Sequence, residues 1–314
     1  MTFLHSNYSD TTITNIMSRR ECDRCSSPES GSDDEQYRSL PVGFKSPYVS
    51  TRSASPVDDE EINRQDLQHH VFRLACHGNF SAPIEDDLQS GIRVLEVGCG
   101  SGVWILEMAH DYPHSEFIGV DAGEVYPAPC DLPSNVTFLK ADAVMGLPFV
   151  DGEFDFVYQR CMMSSYTKHD WDVAVKELAR VTKVGGSVEM FETELTNIER
   201  PPEDTRFWDS LYDNSKSKEI DPSYVRHMGD LLRSQNFEVE QDHIPLALGW
   251  GRPGELHAKA LYMACIAFGP QVCDSLGIGM DEYVERAQEQ FTQFRMYRSW
   301  HKAPYAYGKK LRPM

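Results

Sequence analysis

From residue 92 onwards, short apolar runs alternate with amphipathic stretches, and that rhythm sets the expected fold. The predicted strands cover residues 92–97, 116–120, 136–140, 154–158 and 187–192. Between them lie helical patterns at 103–111 and at 171–182, where Trp171, Val175 and Leu178 share one face. Upstream, Leu67, His70, Val71 and Leu74 recur at helical spacing before a turn-like His77-Gly78-Asn79. Strands alternating with helices predict an α/β protein whose parallel sheet carries helices on both faces. Further on, 201–236 reads as mostly helical and 237–244 as a strand. Helices follow at 256–268 and 281–297, and a last strand at 304–309.

Composition changes the picture at the N-terminal end. Residues 1–60 hold twelve serines and ten acids against six bases, with few large aliphatic residues. Such a stretch buries too little apolar area to offset the entropy of ordering it, so a disordered tail is expected over 1–60. One domain is expected over 61–314, with a ligand-binding core at about 92–192 and helical additions at about 193–300. Ser27-Pro28, Ser46-Pro47 and Ser55-Pro56 in the tail have the form of proline-directed phosphorylation sites. Cys22 and Cys25 form a lone pair, whereas a structural zinc needs four ligands, so no metal is expected.

The whole chain of 314 residues carries 30 Lys and Arg against 49 Asp and Glu, a formal charge of −19. An acid excess of that size argues against nucleic acid as the main partner. The longest uninterrupted apolar run, 260–268, is about half a membrane span, which argues against a membrane as well. Residues 1–10 lack the basic start and apolar stretch of a secretory signal. The eight cysteines are scattered through a long chain and read as reduced thiols. A cytoplasmic or nuclear protein is the resulting expectation.

Chemistry enters at Val94-Leu95-Glu96-Val97-Gly98-Cys99-Gly100-Ser101-Gly102. An apolar strand runs into three glycines at alternate positions, and an amphipathic helix follows at once. Glycines permit a tight turn and let a ligand lie against bare backbone, while the helix beyond presents unpaired N–H groups. Val103 stands where a dinucleotide fingerprint would need glycine, and no Gly-Lys-Ser/Thr ending marks a phosphate loop. The Glu96 carboxylate just before the turn would repel a pyrophosphate but favours a positively charged amine. A nucleoside-like ligand carrying positive charge fits these features. Asp121 ends the second strand nineteen residues after Gly102, where a carboxylate accepts from ribose hydroxyls or caps a helix. Asp142, after the third strand, either accepts from an adenine amino group beside the Ala143 amide or is a solvated loop acid. Cys99 within the turn is explained by packing of a small side chain.

These motifs resemble those of the class I S-adenosylmethionine-dependent methyltransferases. The resemblance covers about 92–192. It rests on Glu96 to Gly102, Asp121, Asp142, the run Leu147-Pro148-Phe149-Val150-Asp151-Gly152-Glu153-Phe154-Asp155-Phe156-Val157, and Val184-Gly185-Gly186, all in order. It implies a Rossmann-like, mostly parallel sheet of seven strands with the last antiparallel, and S-adenosylmethionine as cofactor. By the same resemblance Glu96 faces the amino-acid end of the cofactor, Asp121 the ribose and Asp142 the adenine. The expected cofactor-binding set is Glu96, Gly98, Cys99, Gly100, Gly102, Asp121, Ala122, Asp142, Ala143 and Gln159. A narrower likeness lies in Asn63-Arg64-Gln65-Asp66-Leu67-Gln68-His69-His70, Gly78-Asn79-Phe80-Ser81-Ala82-Pro83 and Tyr158-Gln159-Arg160. These segments resemble fungal methyltransferases related to regulators of secondary metabolism, some of which work in the nucleus with velvet-type proteins. A regulatory protein partner is therefore one implication.

Methyl transfer is an in-line displacement that needs positioning and exclusion of water more than a dedicated acid or base. No catalytic residue is assigned. No Asn/Asp-Pro-Pro-Tyr/Phe motif follows Tyr158-Gln159-Arg160-Cys161, which disfavours amino-methylation of adenine or glutamine, and no Pro-Cys nucleophile of a cytosine enzyme is present. Tyr166, His169, His243, Trp250 and His257 are the candidates for the acceptor side. Three functional classes remain: a methyltransferase acting on a small molecule or a protein, a cofactor-binding regulator, and a nicotinamide oxidoreductase. Glu96 and Val103 oppose the last, and the first is the expectation.

Overall fold

The computed structural model describes residues 59–127 and 132–312. The expectations for the Ser-rich tail, its Ser-Pro steps and Cys22/Cys25 lie outside the described residues, apart from the first positions of the opening helix. That helix is α1 (Asp59–Cys76), and a short α2 (Glu85–Ser90) follows it.

An eight-stranded sheet occupies the centre, in the order β3-β2-β1-β4-β5-β8-β6, with β7 also paired to β8. The first five strands are β1 (Arg93–Val97), β2 (Glu116–Asp121), β3 (Val136–Lys140), β4 (Phe154–Arg160) and β5 (Thr182–Phe191), and they pair in parallel. Helices α3 (Val103–Asp111) and α4 (Lys168–Val181) make crossovers between them. The later part comprises β6 (Glu194–Glu199), α5 (Arg206–Lys216), a 3-10 turn at Pro222–His227 and α6 (Met228–Ser234). It continues with β7 (Phe237–Ala247), α7 (Gly251–Leu276), α8 (Met280–Tyr297) and β8 (Trp300–Lys310). β8 runs antiparallel to β5, β6 and β7 alike, so the last strand is the antiparallel one, as expected.

The count of seven strands is corrected to eight. β5 and β6 lie end to end along the same side of β8: Ser187 to Phe191 pair with Lys309 to Tyr305, then Glu194 with Lys302 and Glu199 with Trp300. Seven strand positions therefore hold eight segments. The polar Thr196-Asn197 in β6 and His301-Lys302 in β8 hide the period-two alternation that would have revealed both. β8 consequently begins at Trp300 rather than at residue 304. Similarly, α7 runs straight through Gly269-Pro270, where the sequence signals a stop. A Cβ on Gly269 would stand 2.8 Å from Met280 and 3.0 Å from Tyr283, so α8 packs directly on this glycine. That packing offsets the hydrogen bond the proline cannot make.

Each face of the sheet has its own core. Leu95, Val97, Val157, Val188 and Met190 pack against Trp171, Val175 and Leu178 of α4. Val94, Phe117, Phe156 and Tyr158 face the other way, against Trp104 and Met108 of α3 and Val71 and Phe72 of α1. A third cluster joins α5, α7 and α8 through Trp208, Cys265, Tyr283 and Phe294. A capping box starts α4: the Thr167 hydroxyl accepts from the Asp170 amide and the Asp170 carboxylate accepts from the Thr167 amide. Among the described residues, no single helix is long and apolar enough to cross a membrane.

Candidate active site

The glycine turn sits at the carboxyl end of β1, where crossover connections leave a crevice in parallel sheets. Gly98, Gly100 and Gly102 all have left-handed backbone, with φ of +72°, +51° and +74°. A side chain at any of them would be strained. The turn folds back on β2, because the Gly98 and Cys99 amides both donate to the Val120 carbonyl, at 2.8 and 3.0 Å. Asp121 completes the join: one oxygen accepts from the Gly100 amide at 2.9 Å and the other from the Gly123 amide at 2.7 Å. Burial raises its pKa, while those two amides lower it. The Ala141 amide donates to the Asp121 carbonyl at 3.0 Å, which brings the end of β3, with Asp142 and buried Ala143, alongside. Asp142 accepts from the Val144 amide at 2.9 Å.

The glycine turn, Cys99, Asp121, Ala122, Asp142 and Ala143 thus lie at adjoining strand ends, as the spacing implied. Gln159 comes to the same edge of the sheet from the other side. Register pairs Glu96 with Tyr158 and Val97 with Gln159, so Glu96, Tyr158 and Arg160 share the face under α1 and α3, while Gln159 faces α4. There the Tyr166 hydroxyl lies 3.5 Å from its side-chain oxygen, and its amide nitrogen is buried with no hydrogen-bond partner.

Glu96 is the most unusual group. It is 1% exposed, and neither carboxylate oxygen has a hydrogen-bond partner. Burial pushes its pKa up to about 8, against the pull of Arg160, with Asp121 adding to the rise. The Arg160 Nε stands 3.6 Å from Glu96 Oε1, near enough for attraction and too far for a hydrogen bond. A buried acid without donors is costly unless a further donor completes it. The site therefore fits a ligand that brings a cationic amine.

Sequence reasoning missed the contribution of α1. Gln65 accepts from the Ser101 amide at 2.9 Å and covers Gly100, and Asp66 accepts from the Ser101 hydroxyl at 2.7 Å. His69 bridges Arg160 and Glu107, at 3.0 and 2.5 Å. Arg73 lies 2.9 Å from Glu107 as well. Burial and the two arginines bring the His69 pKa down to about 4, although Glu107 opposes them, so the ring is neutral at pH 7. The only signal for this set was the four-residue spacing of Gln65, His69 and Arg73 along one helix face. Glu192 was also missed. It is buried after β5 and accepts from the Met162 and Met163 amides, fixing the loop that leaves β4. Burial raises its pKa to about 8 despite those two donors.

The acceptor-side candidates scatter. Tyr166 is buried beside Gln159, whereas His169 is exposed in the first turn of α4. His243 lies on the edge strand β7 next to Asp242. Trp250 donates to the Ser299 carbonyl at 2.7 Å, a packing role. His257 is buried in α7, 2.7 Å from His301, and both rings are kept neutral by burial.

A doubly wound sheet with a left-handed glycine turn after β1, an acid at the end of β2 and a buried acid before the turn has the layout of a nucleoside-binding domain. Comparison with known proteins narrows this. Residues 94–186 match the family described as methyltransferase domain. Over 141 residues the chain is 36% identical to the secondary metabolism regulator laeA of Coprinopsis cinerea, covering 44% of this chain and 34% of that one. It is 26% identical over 202 residues to methyltransferase str3 of Strobilurus tenacellus, covering 62% and 69%. With N-methyltransferase verN of Clonostachys rogersoniana it shares 30% over 138 residues, covering 43% and 48%. The chain thus spans about a third to two thirds of the length of these relatives. The matched segment is a methyltransferase domain of the class I S-adenosylmethionine-dependent type, and over part of its length the chain is similar to fungal proteins named for methyl transfer and for regulation of secondary metabolism.

Proposed function

We propose that the protein transfers the methyl group of S-adenosylmethionine to a small-molecule or protein acceptor, in fungal secondary metabolism or its regulation. The observation that carries this reading is Glu96, a buried carboxyl lacking any hydrogen-bond donor at the mouth of a left-handed glycine turn. In this reading Glu96 receives the cofactor's ammonium, and Gly98, Cys99, Gly100 and Gly102 form the bare wall against which the ligand lies. Asp121, beside Ala122, retains lone pairs for ribose hydroxyls after accepting its two amides. Asp142 and the Ala143 amide meet the adenine edge, and Gln159 borders the site from the α4 face.

When bound, the cofactor supplies a methyl group on a positively charged sulfur. The protein's residues do the remaining work by position. Helix α1 covers the glycine turn through Gln65 and Asp66 and excludes water there. Glu192 holds the Met162–Met163 backbone that follows β4, which fixes the wall nearest the reacting edge. An acceptor held in line within such a site gains most of its rate from orientation. His257 and His301, bonded to each other, are not assigned a proton-transfer role.

Thermal unfolding of the purified chain with S-adenosylmethionine, S-adenosylhomocysteine or NAD tests the proposal. At about a hundred times its dissociation constant a ligand adds about 2.7 kcal/mol, a shift of several degrees for a domain of this size. The shift is expected with both adenosyl ligands and is expected to be lost in Asp121→Ala. A shift with NAD alone overturns the reading. A second reading, a cofactor-binding regulator that acts through a protein partner, draws on the 36% identity to a protein named as a regulator. Transfer of labelled methyl from S-adenosylmethionine into a cell extract favours the first reading, and binding without transfer favours the second.

A further inference from the structure

Helix α1 is lightly attached. Among its described side chains, Val71 and Phe72 are the only buried apolar ones, and much of its remaining hold is polar, through Gln65, Asp66 and His69. An element with so little apolar burial lies at the low end of local stability. Phe72 joins it to the body of the protein: its ring centroid lies 4.9 Å from that of Phe191 in β5 and 6.4 Å from that of His257 in α7.

Behind Phe72, His257 and His301 form a sealed pair. They are 3% and 0% exposed, with 2.7 Å between their Nε2 atoms. One shared proton fits that distance, and the surroundings decide which ring owns it. His301 Nδ1 lies 2.9 Å from the Lys302 carbonyl, so it carries a hydrogen and donates. A neutral imidazole has a single N–H, which makes His301 Nε2 the acceptor and His257 Nε2 the donor. His257 Nδ1 is left as a buried lone pair without a partner. A further proton has this atom to go to, and the new N–H then finds no acceptor. Among the described residues, His301 is the one titratable group acting on His257. Phe72 faces it from α1, Leu246 of β7 pairs with His301, and Glu255 and Lys259 of α7 are exposed. Burial keeps both rings neutral, lowering His257 well below its ordinary value and His301 to about 4. Stability contributed by such groups is present above the ordinary 6.5 and is lost as pH falls below it.

We propose that the His257–His301 pair is an acid-operated latch: a proton taken up by the pair releases Phe72, and with it α1, from the glycine turn that Gln65 and Asp66 cover. The latch acts whatever ligand the turn holds, so it stands apart from the cofactor reading. His69 on α1 has its own partners in Glu107 and Arg160 and is a separate group.

Hydrogen exchange of the full chain, followed by mass spectrometry from pH 8 to pH 5 and corrected for intrinsic rates, tests the latch without ligand. A ring at about 4 when sealed and 6.5 when open shifts the opening equilibrium by about 30-fold between pH 7.5 and pH 5. Peptides from 59–76 are therefore expected to exchange about 30-fold faster at pH 5, while those from 168–181 keep their protection. The double variant His257→Gln/His301→Gln, two amides that bond each other without titrating, is expected to lose this response. His69→Gln is expected to keep it. If the double variant does not fold, the wild-type profile and His69→Gln decide: the latch requires a rise that begins near pH 6.5. A rise confined to below about pH 5 is that of carboxyl groups such as Asp66 or Glu107, and it overturns the latch. So does a response that survives in the double variant or vanishes in His69→Gln.

Discussion

Replacing Glu96 by glutamine is expected to make the protein more stable, and increasingly so as the pH rises. Burial holds the Glu96 pKa at about 8 in the folded protein, against an ordinary value of 4.5. The folded state keeps a proton that the unfolded chain has released, so stability falls as pH rises between these two values. At pH 7 the deficit is about 3 kcal/mol, whereas at pH 5 it is below about 1 kcal/mol. Glutamine is neutral throughout and close in shape to the protonated acid. The variant therefore gains about 3 kcal/mol at pH 7, equivalent to about 6 to 10 °C in Tm for a domain of this size, and under about 1 kcal/mol at pH 5. Thermal and urea midpoints of both proteins at pH 5, 6, 7 and 8, followed by circular dichroism, measure the gain. Glu189 and Glu192, with pKa values raised by burial to about 7 and about 8, tilt both curves equally. Only the difference between the two proteins reports Glu96. Equal midpoints at pH 5 and pH 7, or a less stable variant at pH 7, would refute the reasoning by showing that Glu96 is ionised in the folded state. The same substitution is expected to weaken S-adenosylhomocysteine binding, since stability and ligand recognition make opposite demands on this carboxyl.

Three further outcomes are expected. Gly102→Ala, at φ of +74° and with the Phe138 ring over the position, loses at least about 1–2 kcal/mol in a denaturant titration; an unchanged midpoint would contradict the strained turn. Thr167→Ala removes the reciprocal cap of α4 and costs about 1 kcal/mol, and no change in midpoint would count against that cap. Glu192→Ala strips two buried amides of their acceptor, whereas Glu192→Gln keeps one acceptor oxygen. The alanine variant is expected to be the less stable by at least about 1 kcal/mol, with faster proteolysis near Met162. The opposite order would mean that Glu192 does not anchor this loop.

Much of the site was legible because its parts are local. Strand, three glycines and helix stand within twenty residues, 92–111, and an acid at a strand's end needs only the strand to be located. His69 illustrates the opposite case. It lies 91 positions from Arg160 and 38 from Glu107, and nothing in its neighbours distinguishes it from the adjacent His70. The acceptor-side candidates failed for the same reason: His243 and His257 differ little as letters, yet one lies on an exposed edge and the other is sealed beneath β8.

By itself, then, the sequence determined the α/β rhythm, the antiparallel last strand through its family likeness, and the residues of the glycine turn. These depend on period-two and helical spacing and on backbone freedom at glycine, which are properties of contiguous residues. Only tertiary structure decided that β5 and β6 share one flank of β8, that α7 continues through Pro270, and that α1 delivers His69 to Arg160. Each of these is settled by which surfaces exclude water together. Pairing and burial between distant segments overrode local preference where it was weak, and put a buried acid beside an arginine where the chain kept them far apart.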